Sequence, residues 1–196
     1  MGKIFVLLGK SSSGKDAIFR NLMTDDSLGL KKVVIYTTRP MREGEKDGVQ
    51  YFFSDKKGYE QLLKNRKIIE ERKYDTVYGE WIYFTVDDGQ IDLSNGDYLI
   101  IGTIDSLISI SEYYGSESVI PIMINTDDGI RLQRALKREL KQAEPKYAEM
   151  CRRFLADEED FSEERKAKAG ITRVFNNNDA IEDCINEIKD YIISNK

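Results

Sequence analysis

The sequence predicts an α/β fold, a parallel sheet flanked by helices, carrying a small inserted antiparallel β subdomain and a helical lid. Three observations predict it. Short apolar runs bounded by turn residues alternate with helical patterns; a glycine- and serine-rich turn joins the first such run to the first helix; and one stretch, Gly48–Val86, breaks this rhythm with short aromatic and β-branched segments.

The run Ile4–Leu8 is apolar throughout and bounded by glycine, the pattern of a strand buried on both faces of a parallel sheet. Comparable runs predict strands over Lys32–Thr38, Tyr98–Thr103, Ser118–Asn125 and Ile171–Asn176. Helical periodicity covers Asp16–Met23, Asp105–Tyr114, Asp127–Lys141 and Asp179–Ile193, the last with Ile181, Ile185, Ile188 and Ile192 on one stripe. Strand followed by helix, repeated, implies right-handed crossovers and a parallel sheet. In the interrupting stretch one brief helix is expected over Tyr59–Arg66. Residues Arg131–Phe161 are long, helical and rich in arginine, with Pro145 as a break near the middle. The expected organisation is one domain over 1–196: a core of 1–35, 91–130 and 166–196, an insertion over 36–90 and a lid over 131–165.

Composition narrows the chemistry. Thirty basic and 35 acidic residues give a net charge of −5, which offers no general attraction to nucleic acid or an anionic membrane, so phosphate binding must come from a local cluster. There is no histidine, which removes imidazole bases and histidine zinc sites. Cys151 and Cys184 stand apart without CxxC pairing and read as buried free thiols. No apolar run approaches the ~20 residues of a membrane span and the first residues carry no secretory cleavage pattern, so a cytoplasmic protein is expected, with small-molecule partners and an oligomeric state left open.

Gly9–Asp16, GKSSSGKD, fits the G-x-x-x-x-G-K of a P-loop, in which main-chain amides of Gly9, Lys10, Ser11, Ser12, Ser13 and Gly14 wrap a polyphosphate and Lys15 reaches its terminal oxygens. Its placement between a buried strand and a helix N-terminus suits an anion, and the expected fold is of the P-loop NTPase type. ATP and Mg²⁺ follow as cofactors. Asp16 occupies the place of the hydroxyl residue that coordinates Mg²⁺. As a hard oxygen donor it is the candidate metal ligand, with the opposing consequence that it adds negative charge beside the nucleotide.

After the second strand, Thr37–Phe53 reads TTRPMREGEKDGVQYFF, placing Arg39, Arg42 and Tyr51 around one bend, forked cations and a hydroxyl of the kind that grips a phosphate. This segment resembles the acceptor-binding signature of guanylate kinases, T-T-R-x-x-R-x-G-E-x-x-G-x-x-Y-x-F, with every fixed position filled. The resemblance extends over nearly the whole chain. It implies that Arg39, Arg42, Tyr51 and Tyr78 hold the acceptor phosphate, that Glu70 accepts hydrogen bonds from guanine N1 and N2, that Arg138 and Arg153 embrace the transferring phosphoryl group, and that Asn176 lies on the adenine side. Arg131, Lys141 and Arg165 read instead as solvated helix-surface ion pairs. The implied reaction is ATP-dependent phosphoryl transfer to a nucleoside monophosphate, with GMP giving GDP. Departures leave alternatives open. Ile35 and Glu80 replace small hydroxyl residues, and Gly102-Thr103-Ile104-Asp105 replaces a D-x-D element. They leave room for a weakened nucleotide- or phosphoprotein-binding module, or for a kinase of another small monophosphate.

Overall fold

A computed structural model describes residues 1–42, 44–76 and 79–196. In chain order the elements are β1 (Ile4–Gly9), α1 (Lys15–Met23), β2 (Leu30–Lys32), β3 (Tyr36–Thr37), β4 (Phe52–Phe53), α2 (Lys56–Lys64), β5 (Ile68–Thr76), β6 (Gly79–Val86), β7 (Asp97–Ile101), α3 (Ile104–Tyr114), β8 (Val119–Asn125), α4 (Asp128–Glu139), α5 (Tyr147–Asp160), α6 (Glu163–Lys168), β9 (Val174–Asn176) and α7 (Ile181–Ser194).

β1 is buried along its whole length because it is the central strand of a five-stranded parallel sheet ordered β2-β7-β1-β8-β9. Its side chains alternate between two cores. Phe5 and Leu7 meet Ile18 and Leu22 of α1 and the isoleucine stripe of α7, while Ile4, Val6 and Leu8 meet Ile104, Leu107 and Ile110 of α3. This double burial fixes the end of β1, and so the loop that follows it, against the rest of the molecule.

The apolar run Lys32–Thr38 is not one strand. Val33 N–H still reaches Leu99 O (3.2 Å), but the N–H and C=O of Val34 are taken by the side-chain amide of Gln90 (2.9 and 3.1 Å). The chain then enters a second sheet at Tyr36–Thr37. Continuous hydrophobicity does not record a change of sheet, because both sides of the crossing are buried. The second sheet is ordered β4-β3-β6-β5, and its short β3–β4 pair is parallel, so the insertion is mixed rather than wholly antiparallel. Tyr36, Tyr59, Ile82 and Phe84 form its own small core.

In the insertion the helix starts earlier than the periodicity indicates, at Lys56, because Asp55 caps it by accepting the Gly58 N–H (2.7 Å). Pro145 lies between α4 and α5, as expected of a residue lacking an N–H to donate. Both cysteines are free, but only Cys184 is buried; Cys151 lies on the outward side of α5 and is exposed. No helix among the described residues is long and apolar enough to cross a membrane.

Candidate active site

The loop between β1 and α1 is shaped by two residues with positive φ, Ser12 at 63° and Gly14 at 94°. Alternating handedness of this kind builds the concave backbone nests that hold anions. Gly14 has a second reason to be glycine: a Cβ there would lie 2.3 Å from the Asn177 side-chain amide. That amide donates to Ser13 O (2.7 Å), and the same carbonyl also accepts from Thr126 Oγ1 (3.0 Å) and Arg134 Nη1 (3.4 Å). Three donors on one carbonyl turn Ser13 O away from the concave side. Among the described residues the buried hydroxyls of Ser12 and Ser13 find no hydrogen-bond partner, an observation that fits a loop built to receive an oxyanion.

Lys15 opens α1, partly buried. Burial pulls its ammonium below the usual lysine range; the carboxylates of Asp16 and Asp157 oppose this, and the guanidiniums of Arg153 and Arg138 add to it. Arg153 on α5 and Arg138 on α4 therefore lie within electrostatic reach of Lys15, the gathering implied by the resemblance. Asp16 is exposed beside them. Among the described residues no group of three or more metal-ligating side chains exists, so a divalent cation here would be held by Asp16 together with nucleotide oxygens and water, as Mg²⁺ commonly is. The donor set fits Mg²⁺.

One residue read as a solvated surface charge is the opposite. Arg131 is 0% exposed, the largest fully buried side chain. Its Nε donates to Ser11 O (3.0 Å), its Nη2 to Asp157 Oδ2 (2.8 Å), its Nη1 to Asp128 and Glu158, and its guanidinium lies over the Phe154 ring at 4.6 Å. Asp157 in turn accepts the Ser11 N–H (2.8 Å), and Lys10 pairs with Glu158 (2.6 Å). The helical segment thus grips both backbone groups of Ser11. Sequence reasoning missed this because Asp157 and Phe154 are more than 20 residues from Arg131, beyond any i,i+4 relation. Asn176, the residue the resemblance puts on the adenine side, is exposed with its Oδ1 3.4 Å from Asn125 Nδ2, and the neighbouring Asn177, which sequence reasoning did not single out, is buried and reaches the loop. Alternation along β9 sends successive side chains to opposite faces, a one-residue distinction invisible in an asparagine run.

Across from the loop stands the second sheet. Arg39 is nearly fully buried: Nη2 meets both oxygens of Glu45 (2.8 and 3.0 Å), Nη1 donates to Pro40 O (2.7 Å), and the guanidinium packs over Tyr51 (5.3 Å) and Phe53 (5.6 Å). Arg42 is exposed, and its N–H donates to Glu45 Oε2 (2.8 Å). The Arg39 hydrogen bond holds the Glu45 carboxyl below its ordinary range despite some desolvation. Burial pushes the Tyr51 phenol up, Tyr83 adds to that, Arg39 and Arg72 pull it back, and Asp16 reaches it from the loop. Tyr74 is likewise raised by burial and senses Arg72, Asp160 and Arg153. The charges of Asp16 on the loop and of Arg39 on the sheet are both felt at Tyr51, so loop and sheet lie within electrostatic reach of one another. Glu70 is buried on β5 and fully engaged by neighbours described below. Tyr78 lies outside the described residues.

This architecture, a parallel sheet whose central strand delivers a glycine- and serine-rich loop into a helix, beside a second sheet carrying Arg39 and Tyr51, defines a P-loop α/β protein. The chain matches the family model described as guanylate kinase over residues 1–195, and it belongs to that family. Its fold is similar to the crystal structure of guanylate kinase from Anaplasma phagocytophilum, with a TM-score of 0.65 and 22% identity over 98% of this chain and 85% of that one. An uncharacterized protein from Eubacterium ventriosum aligns over 99% of each chain at a TM-score of 0.48 and 12% identity.

Proposed function

We propose that the protein transfers the terminal phosphoryl group of ATP to a nucleoside monophosphate, with GMP as acceptor and GDP as product, in the cytoplasm. The observation that supports the reading is the match to the guanylate kinase family over residues 1–195, joined by the electrostatic reach of Arg138 and Arg153 to Lys15 and of Asp16 and Arg39 to Tyr51. Residues Gly9–Asp16 hold the nucleotide phosphates, Asn177 shapes the loop from behind, and Asp16 supplies the protein oxygen for Mg²⁺, which neutralises phosphate charge when bound. Arg39, Arg42, Tyr51 and Tyr78 hold the acceptor phosphate.

No protein nucleophile is required. An acceptor phosphate oxygen forms the new P–O bond as the bond to ADP breaks, and the loose transition state spreads negative charge that Lys15, Arg138 and Arg153 stabilise. Segment 131–165 acts as the lid: its exposed arginines move with α4 and α5, and closure excludes the water that would otherwise hydrolyse ATP. Segment 36–90 is the acceptor-binding unit on the core formed by 1–35, 91–130 and 166–196.

The test is ADP release followed with purified protein, Mg²⁺·ATP and GMP. ADP formation dependent on both nucleotides supports the reading. Nucleotide binding without product at any Mg²⁺ concentration replaces it with the binding-module alternative.

A further inference from the structure

Glu70 is spoken for. Its side chain is 2% exposed, and its Oε1 accepts from Thr85 Oγ1 (2.7 Å) and Arg72 Nη2 (3.2 Å) while its Oε2 accepts from Ser106 Oγ (3.2 Å) and faces Arg72 Nε at 3.2 Å. A carboxylate offers about four lone-pair sites, and here two hydroxyls and the Arg72 Nη2 donor take three while the Arg72 Nε charge lies against Oε2. A guanine presenting N1–H and N2–H to Glu70 would have to displace Arg72 and strand a mostly buried cation, which is costly.

The arginine has room that the carboxylate lacks. Arg72 gives Glu70 one hydrogen bond, from Nη2, and an ion-pair contact from Nε, which is itself buried without a hydrogen-bond partner; among the described residues the guanidinium has no other acceptor. It borders a cavity of about 310 Å³ lined also by Tyr74, Thr103, Asp105, Asp160 and Arg165, a volume at the small end of those that hold ligands. Asp105 does not compete for Arg72, since it is held by Arg165 (2.5 Å). The face of β5 that carries Glu70 and Arg72 adjoins the Tyr51–Tyr83–Tyr74 aromatic row, whose rings lie 5.6 and 5.7 Å apart, with Arg39 stacked at its Tyr51 end. A phosphate at Arg39 and a base at Arg72 would thus lie along one row of rings.

We infer that Arg72 is the residue that selects the acceptor base, that it reads the O6/N7 acceptor edge of a 6-oxopurine, and that Glu70 is a positioning residue which holds Arg72 in place. This rests on the nucleoside monophosphate kinase reading above and deepens it. An arginine fork matches guanine O6 and N7, and it meets a donor where adenine carries its N6 amine. The 2-amino group of guanine is then unread. The substrate class is 6-oxopurine nucleoside monophosphates, IMP as well as GMP.

The experiment measures kcat/KM for GMP, IMP and AMP with Mg²⁺·ATP, together with equilibrium dialysis of each monophosphate, on the wild type and on Arg72→Met, Arg72→Lys and Glu70→Gln. IMP is expected within roughly 5-fold of GMP, with AMP at least ~100-fold below both, the scale on which a site built for hydrogen bonding rejects a mismatched group. Arg72→Met should cost GMP and IMP alike roughly 10- to 100-fold while the KM for ATP stays unchanged. Arg72→Lys keeps the ion pair with Glu70 but loses the fork, so it should show the same loss in milder form and guards against a folding defect in the methionine variant. Glu70→Gln should raise the KM for both 6-oxopurines by one common factor without changing kcat. If IMP falls ~100-fold or more below GMP and Arg72→Met leaves GMP turnover intact, the inference is overturned while the kinase reading stands. If none of the three monophosphates binds or releases ADP, both fall together.

Discussion

On the Gly9–Asp16 loop three donors converge on Ser13 O, a buried arginine and a buried aspartate hold both backbone groups of Ser11, and the anion-facing hydroxyls are left without partners. On the acceptor sheet the charged side chains are paired with each other: Arg39 with Glu45, Arg72 with Glu70. The loop is held through its backbone by Asn177, Thr126, Arg131, Arg134 and Asp157, which leaves the hydroxyls of Ser12 and Ser13 unspent. The sheet is ordered by internal ion pairs that stand where ligand charges would come, and each arrives with a carboxylate that orients it. A preassembled nest suits a ligand portion common to all ATP, whereas paired forks suit discrimination, since a ligand must match a geometry already set by the carboxylate.

The sharpest way to break this comparison is at Lys15. Lys15→Met should lower kcat by roughly 10³-fold, the scale of losing a cation that stabilises transferring phosphoryl charge. It should leave the thermal midpoint unchanged or slightly raised, because burial already disfavours the ammonium. A stabilising or neutral lysine removal with full loss of turnover would show that the loop is built for ligand and not for its own stability. A large drop in thermal midpoint would place Lys15 among the residues that hold the loop together.

Arg131 should behave in the opposite sense. Arg131→Ala leaves Asp157 and the Ser11 carbonyl without their arginine partner and should cost about 3–5 kcal/mol, read as a shift of the urea midpoint at constant slope. The double replacement Arg131→Met with Asp157→Leu should recover only part of this. It removes the uncompensated charge but still strips Ser11 N–H and C=O of hydrogen bonds. Full recovery would mean that packing over Phe154, not the grip on Ser11, is what the pair contributes.

These two residues also mark what was legible in the sequence. Lys15 sits in a local pattern, strand, glycine turn, helix, whose physics is complete within a dozen residues, so its place could be read directly. The sheet core was readable for the same reason: β1 announces burial on both faces. Arg131 was misread because its partners come from another helix, and a buried arginine and a solvated one leave the same mark on a helical pattern. Asn177 was not anticipated as a support of the loop because which asparagine of the run turns inward at a three-residue strand's end is not encoded in composition. The paired state of Glu70 needed Thr85 and Ser106 from two other elements, so only the existence of a carboxylate on β5 could be anticipated, not its occupation.

Metal chemistry offers a smaller effect and a cleaner contrast between two aspartates. Asp16 is exposed at the start of α1 beside Lys15, while Asp105 is tied to Arg165 (2.5 Å) at the start of α3. Asp16→Ala should lower kcat roughly 10- to 100-fold and raise the Mg²⁺ concentration needed for half activity, on the scale reported for residues that support a metal. Asp105→Ala should change kcat by less than about 3-fold, the limit for loss of an exposed pair. Equal losses would move the metal-side role toward α3 and remove Asp16 as the residue that holds Mg²⁺.

The smallest effect concerns Glu45, and it tests whether the carboxylates of the acceptor sheet orient their arginines or merely neutralise them. The hydrogen bond from Arg39 keeps the folded-state pKa of Glu45 below its unfolded value near 4.5. A carboxyl so depressed contributes stability that is present above pH 4.5 and is lost as pH falls through the folded pKa. Glu45→Gln should therefore remove that contribution at neutral pH and flatten that part of the acid side of the stability profile, so that wild type and variant converge in urea midpoints measured from pH 6 downward. Its kinetic signature should be confined to the acceptor: a KM for the monophosphate raised a few fold, with the KM for ATP unaltered, because Arg39 keeps its charge, its stacking on Tyr51 and its bond to Pro40 O but loses the partner that fixes its fork. A lowered acceptor KM would mean that Glu45 competes with the incoming phosphate for Arg39, and the sheet's ion pairs would then act as internal stand-ins that the ligand must displace.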